Sequence, residues 1–594
     1  MKLEQMIEKM RSWGKHILLP IFCWVIFLVL MRYVWPRMGI FEGEELAGAA
    51  AYAWIHQIPN MLSVPHIRFF GWNIPVMFSI YDGPWAIYSL APFVAVGGCT
   101  LATLRCYDAC MFLLALIGMH QLARALYQDD TLAALATFLL AVCPCMVILY
   151  SWEVEGASFG VAAVVWTLYS GLLFARTRKT AFAYLGCCSF FLGLCTGPWM
   201  AGLGAGMALC FALVPSRWLA LFPKERLNRW KIIGGGLLCA GFFLLPVLAY
   251  NIADGGQTLK FFATHLIKRH CPLLYIPYFG TRSNLNYWIN LKVRFAQVAM
   301  LWDGDWLVVI KRKPWYLLYA GPLLFSLIHS VKEAWKKRTL WLKSTMLWAL
   351  IASYLLASAI SPTEQLVSQI CPLAPILILL ILAPFASNWK NNACRAVVAA
   401  AAVLCLTQFL ADFYIFRPGN INLEQVGYYG NSPLVIQVSR WAADRPRTPV
   451  IPLSPPVAQA LPYFSQNRAR VIPFSSCGET LSWETWLAQR DLLPYREFIS
   501  SEKTDPLEAC LTRRDRPLFI AENDANDAEI VAKLKSEAAG LGVRFNEIKI
   551  FDDQRGRPAF EVFQTQYDLL DLVYLEGRTT HGIAKYLNFG QREV

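Results

Sequence analysis

Apolar runs of roughly 17 to 20 residues recur from Ile17 to Phe413, the length a helix needs to cross about 30 Å of hydrocarbon. Eleven candidate spans, of 14 to 19 residues, follow: Ile17 to Trp35, Cys106 to Leu122, Leu132 to Tyr150, Phe159 to Ala175, Phe182 to Thr196, Trp199 to Val214, Ile232 to Tyr250, Trp315 to Ile328, Ser344 to Ile360, Cys371 to Ala386 and Ala396 to Phe413. Only 16% of the residues are charged, against about 25% in a soluble domain. A soluble enzyme is excluded, and the chain is expected to be a polytopic α-helical membrane protein of about 11 transmembrane helices.

The formal charge of +13 raises the question of nucleic acid. After Asn420 there are 20 basic and 23 acidic residues, so the membrane part carries the whole excess, about +16. It sits in alternate loops: Arg124; Arg176, Arg178 and Lys179; Arg217, Lys224, Arg226, Arg229 and Lys231; Lys332, Lys336, Lys337, Arg338 and Lys343; Lys390 and Arg395. Cytoplasmic loops collect Lys and Arg, so the charge is a topology signal and no nucleic-acid partner is expected. The first apolar run lacks a signal-peptide cleavage site and reads as a retained helix with a cytoplasmic N-terminus.

Counting Ala86 to Leu104 as a span would invert every later basic loop, so this stretch is expected along the outer membrane face. Parity also requires a break at Gly197-Pro198. The outer side then receives the loop from Pro36 to Arg105, the turn Ser151 to Ser158, the segment Asn251 to Pro314, the turn Ser361 to Ile370 and everything after Phe413. Most of the 17 cysteines fall inside spans, where they act as small apolar residues. Only Cys477 and Cys510 lie in the C-terminal part, where an oxidising compartment would allow one disulfide.

Chemistry is expected on the outer side. Glu44 and Glu45 open an Ala-rich helical pattern, where a carboxylate serves either as a general base or as a complement to the helix dipole. Glu153 and Glu155 carry the same two readings, and four carboxylates in two loops of so uncharged a chain suggest one cleft. The segment Asn251 to Pro314 mixes aromatics with Lys268, Arg269, His270, Arg282, Lys292, Arg294, Lys311, Arg312 and Lys313. Such a surface suits a lipid phosphate or general contact with anionic lipid. The sequence carries no HExxH, P-loop or GxSxG pattern. Beyond Asn420, PVIPL, ARVIPF and RPLFIAE read as strands, Thr480 to Ser500 and Ala525 to Ala539 as helices, and VRFNEIKIF with PAFEVFQ as a closing strand pair. A membrane domain over 1–418 and an extracytoplasmic α/β domain over 419–594 are expected.

From Ile17 to Phe413 the chain resembles the GT-C polyprenyl-phosphate-sugar glycosyltransferases, in particular the bacterial branch related to protein O-mannosyltransferases and lipid A aminoarabinose transferases. The resemblance lies in ordered segments: the acidic pair Glu44-Glu45, YDGPWAIYSLAPF with Tyr81 and Asp82, TLRCYDA around Arg105, SWEVEG with Glu155, LWDGDWLVVIKRKPWYLLYAGPLL, and SPTEQLVSQICPLAPILILL with Gln365. The chain departs from many members in having no lysine near FLGLCTGPWMAG and no arginine just before the Leu-Pro-rich span.

The resemblance implies an inverting glycosyltransferase that moves a sugar from polyprenyl phosphate to a hydroxyl of a lipid, glycan or protein acceptor. It points to Glu44 as base with Glu45 and Glu155 as alternates, and to Arg269, His270, Arg282, Lys311 and Arg312, or a divalent cation, at the leaving phosphate. Tyr81, Asp82 and Gln365 are expected to contact donor or acceptor. The setting implied is a bacterial inner membrane with the site in the periplasm. An O-antigen ligase or polymerase would be expected to lead with outer-loop Arg and His, and a transporter with internal repeats and mid-membrane charge.

Overall fold

The computed structural model describes residues 17–32, 44–57, 66–77, 83–143, 145–146, 150, 157–197, 200–213, 226–253, 256, 291, 294–295, 298, 316–337, 343–358, 370–386, 392, 395–396, 399–400, 403, 407, 432–453, 455–466, 469–471, 517–522, 525–540, 544–552 and 558–566. Three of the described helices are long and apolar enough to cross a membrane, over Leu101–Tyr127, Phe159–Thr177 and Trp230–Ile252. They belong to α4 (Leu101–Tyr127), α6 (Ala157–Thr177) and α9 (Arg226–Ala253). Around them stand α1 (Ile17–Arg32), α5 (Asp130–Ala141), α7 (Thr180–Thr196), α8 (Met200–Leu213), α10 (Tyr316–Lys337), α11 (Lys343–Ser358) and α12 (Ala374–Ala386). The chain breaks between α7 and α8, at the Gly197 position that parity demanded. Phe27, Phe112 and Tyr150 meet at the centre of this bundle, with ring centroids 4.4 Å apart in each successive pair.

A proline inside a helix leaves one carbonyl without its usual N–H donor, and lipid offers no water to replace it. Pro384 in α12 withdraws the donor from the Leu380 carbonyl, and the Ser326 hydroxyl of α10 donates to that oxygen at 2.6 Å. The Tyr127 hydroxyl donates to the neighbouring Leu379 carbonyl. In α9, next to the carbonyl freed by Pro246, the Phe243 oxygen accepts from Trp85 Nε1 at 3.0 Å and from Cys195 Sγ at 3.1 Å. At Leu380 a side chain of a neighbouring helix thus supplies the bond that the proline withholds.

The loop after α1 folds into α2 (Glu44–Ile55), a two-stranded hairpin of β1 (His66–Phe69) and β2 (Trp72–Pro75), and α3 (Trp85–Gly97). The stretch expected as one unit from Ala86 to Leu104 is divided. Gly98, at φ +66°, ends α3, and Thr100 caps α4 by accepting from the Thr103 amide at 3.1 Å, so α4 begins before Cys106. A side-chain cap of this kind satisfies one of the donors that every helix start leaves open.

Near the C-terminus, α13 (Ser432–Ala443), α14 (Pro455–Phe464) and α15 (Ala525–Gly540) accompany a five-stranded sheet in the order β4-β3-β5-β7-β6. Strands β3 (Pro449–Pro452), β4 (Arg470–Val471) and β5 (Leu518–Glu522) run parallel. Strands β6 (Arg544–Asp552) and β7 (Pro558–Gln566) close the sheet as an antiparallel pair. The expected helix Thr480 to Ser500 and both Cys477 and Cys510 lie outside the described residues.

This sheet shares a core with the first loop. Ala47, Ala49, Ala50 and Ala51 of α2 are buried in one cluster with Ile87 and Leu90 of α3, Leu104 and Tyr107 of α4, and Tyr463, Ile520 and Phe560 of the C-terminal unit. The small side chains let α2 and α14 approach closely, and a Cβ on Gly48 would run into the Tyr463 ring. The Tyr463 hydroxyl donates to the Thr100 carbonyl at 2.9 Å. Gly48→Ala is therefore expected to destabilise the protein by about 1–3 kcal/mol through overpacking. Tyr463→Phe, which loses only the hydrogen bond, should cost about 1 kcal/mol. Thermal unfolding in detergent reads both as a lowered Tm, with the larger shift for Gly48→Ala.

Candidate functional site

Glu44 and Glu45 form the first turn of α2, so the acidic pair sits where a helix presents its positive end. The buried alanines that follow fix this helix against the C-terminal unit. Glu155, Arg269, His270, Arg282, Lys311, Arg312, Tyr81, Asp82 and Gln365 lie outside the described residues.

What the structure adds is a row of buried polar groups on α4 and its neighbours. Arg105 and Asp108 are one helical turn apart, with Nη1 and Oδ2 separated by 3.8 Å, and are 3% and 0% exposed. Between them, the Tyr107 hydroxyl meets Ser89 Oγ of α3 at 2.7 Å. Tyr150 is fully buried within electrostatic reach of Asp108 and Tyr107. Arg294 is 2% exposed and acts electrostatically on the buried Tyr354 of α11. Ionisable groups are costly inside such a bundle and are kept where they pair or face a polar path. Tyr107 belongs to the core shared with α2 and the C-terminal unit, whereas Tyr150 and Tyr354 belong to the core of the bundle. These polar groups are therefore divided between the two cores.

Sequence reasoning singled out Arg105 and Arg294 but passed over Asp108. The signal was there: an acid three residues after an arginine, inside an apolar run, places both on one helix face. Tyr150 and Tyr354 gave no such signal, because a tyrosine at the end of an apolar run is unremarkable in sequence.

Two groups beside the row are held protonated by burial. The Tyr88 phenol of α3 is pushed well above its ordinary value, and its hydroxyl donates to the Pro75 carbonyl at the base of the hairpin. The Cys99 thiol, between α3 and α4, is pushed up to about 12 and is no nucleophile at neutral pH. Cys143 and Cys145 are buried thiols with sulfurs 3.3 Å apart. Among the described residues no group of three or more His, Cys, Asp or Glu side chains is placed to hold a metal ion.

The architecture, an apolar helix bundle bearing first-loop helices and a C-terminal sheet, is a fold shared with solved structures of ArnT. Among solved structures the chain is similar to ArnT from Cupriavidus metallidurans in the apo state, with a TM-score of 0.58 and 11% identity over 93% of this chain and 98% of that one. It is similar also to ArnT of the same organism bound to undecaprenyl phosphate, with a TM-score of 0.59 and 12% identity over the same shares. No protein-family model and no curated protein matches the chain.

The buried pair makes a sharp prediction. Asp108→Ala leaves Arg105 without its adjacent counter-charge and is expected to cost about 3–5 kcal/mol, whereas Arg105→Met combined with Asp108→Leu recovers most of that loss. Unfolding of Arg105→Met, Asp108→Leu and the double variant in detergent, beside Asp108→Ala, completes the cycle.

Proposed function

We propose that the protein is an inverting glycosyltransferase that moves a sugar from a polyprenyl-phosphate donor to an acceptor hydroxyl at the outer face of a bacterial inner membrane. The observation that carries this reading is the agreement of fold over 93% of the chain with ArnT, including a structure bound to undecaprenyl phosphate. The acidic pair at the start of α2 supports it, as do the alternating basic loops, which favour a cytoplasmic N-terminus. Residues 1–418 form the catalytic membrane domain and 419–594 an accessory domain that covers the outer cleft or helps bind the acceptor. The acceptor is a lipid, a glycan or a protein.

In this reaction a carboxylate takes the proton of the acceptor hydroxyl while its oxygen attacks the anomeric carbon from the face opposite the phosphate. The bond between the anomeric carbon and the phosphate oxygen breaks, and its electron pair leaves with polyprenyl phosphate, so configuration inverts. Glu44 is the base, with Glu45 and Glu155 as alternates. Arg269, His270, Arg282, Lys311 and Arg312 are the groups chosen to stabilise the charge that grows on the leaving phosphate, a role a divalent cation would share. Tyr81, Asp82 and Gln365 contact donor or acceptor.

The test supplies purified protein with polyprenyl-phosphate sugars and a membrane extract as acceptor, and follows release of polyprenyl phosphate. Glu44→Gln is expected to lower turnover by about 10²- to 10⁴-fold, the usual contribution of a general base. Wild type that releases no polyprenyl phosphate with any donor overturns the reading. Full activity in Glu44→Gln, Glu45→Gln and Glu155→Gln overturns the acid-based mechanism.

A further inference from the structure

The β1–β2 hairpin is short and its register pairs Phe69 with Trp72, leaving the two-residue turn Phe70-Gly71. Both turn residues have positive φ, +48° and +82°, as in the turn that matches the twist of a hairpin and that favours Asn-Gly. Phenylalanine is a poor choice there, because a bulky residue rarely adopts the left-handed region. Phe70 is also 89% exposed, and Phe69 and Trp72 beside it are more than half exposed. Exposed Arg68 adjoins them. The tip thus combines a strained backbone with three aromatic side chains that the described chain leaves uncovered.

The base of the same hairpin is firmly held. Gln57, just past α2, accepts from the Asn73 amide at 2.7 Å and donates to the Trp54 carbonyl at 2.6 Å. Tyr88 of α3 donates to the Pro75 carbonyl. One turn back along α3, Trp85 packs on Phe242 and Phe243 of α9, with centroids 5.5 and 4.8 Å away. That part of α9 has an apolar outward face, with Phe242, Leu245, Leu248 and Ile252 exposed. The hairpin base is therefore tied, through α3, to the middle of a lipid-facing span.

We infer that the β1–β2 hairpin is a membrane foot, whose tip residues Phe69, Phe70 and Trp72 seat in the interfacial zone of the outer leaflet while Arg68 meets lipid phosphate. Aromatic side chains favour this zone, and exposed apolar patches mark the surfaces that a partner covers. The occupant is the bilayer itself, since the hairpin is anchored through α3 to a lipid-facing span and its tip carries a cation for anionic headgroups. The foot sets the height of α2, and so of Glu44 and Glu45, above the membrane. The inference rests on the membrane placement in the reading above and not on sugar transfer.

The test places a benzophenone amino acid at Phe70, at Leu245 on α9 and at Ser536 on α15, in nanodiscs of phosphatidylethanolamine and phosphatidylglycerol. Irradiation at position 70 is expected to give phospholipid adducts comparable with position 245 and on the order of tenfold above position 536, as for residues sunk to the acyl boundary. Adducts at 245 but not at 70, or crosslinks from 70 to a second copy of the chain, overturn the foot alone. Adducts at neither position overturn the membrane placement on which it rests. Phe70→Asn, which creates the favoured turn pair, is expected to match or exceed wild type in Tm in detergent while lowering lipid adducts from a benzophenone at Trp72. A clear fall in Tm would show that Phe70 serves a partner within the chain and would overturn the proposal.

Discussion

The contact between α2 and α14 at Gly48 decides how the first-loop helices and the C-terminal unit sit together. Residue 48 has no side chain, and the Tyr463 ring occupies the space one would fill. The alanine face of α2 then closes on the C-terminal unit, and the Tyr463 hydroxyl reaches across to the Thr100 carbonyl at the start of α4. One close approach therefore aligns the helix that begins with the acidic pair, the cap of a membrane helix and the edge of a five-stranded sheet. A larger residue at 48 would separate three elements at once.

Within the bundle, polar groups obey a stricter rule than in water. Each carbonyl released by a proline needs a donor from elsewhere, and Ser326 meets that need at Leu380. Near Pro246, Trp85 and Cys195 converge on the Phe243 carbonyl. The same rule keeps Arg105 beside Asp108 one turn along α4. Proline-containing spans and a buried ion pair are thus joined by the same constraint.

Much of the fold was legible because it rests on local pattern. Helices stand where apolar runs were long, the break after Thr196 fell where charge parity put it, and the strands near Val450, Phe519 and Val562 followed alternation and β-branched content. What escaped was set by tertiary partners. The hairpin at Phe70-Gly71 hides behind an aromatic where Asn is usual, and α14 begins with two prolines and reads as a loop until its packing on α2 is known. Of the candidate site, the place of Glu44 and Glu45 at a helix start was legible from the Ala-rich pattern that follows them, while Asp108 was hidden because an acid inside an apolar run gives a weaker signal than acids in loops.

The hydrogen bond from Tyr463 to Thr100 joins residues 363 positions apart. A ribosome adding 5–20 residues per second takes about 20–70 s to cover that distance. For that interval the first-loop helices exist without the surface that buries their alanines. The nascent protein must carry an unfinished apolar face through most of its synthesis, which makes this interval the stage at which holding factors and proteases have the longest access to it.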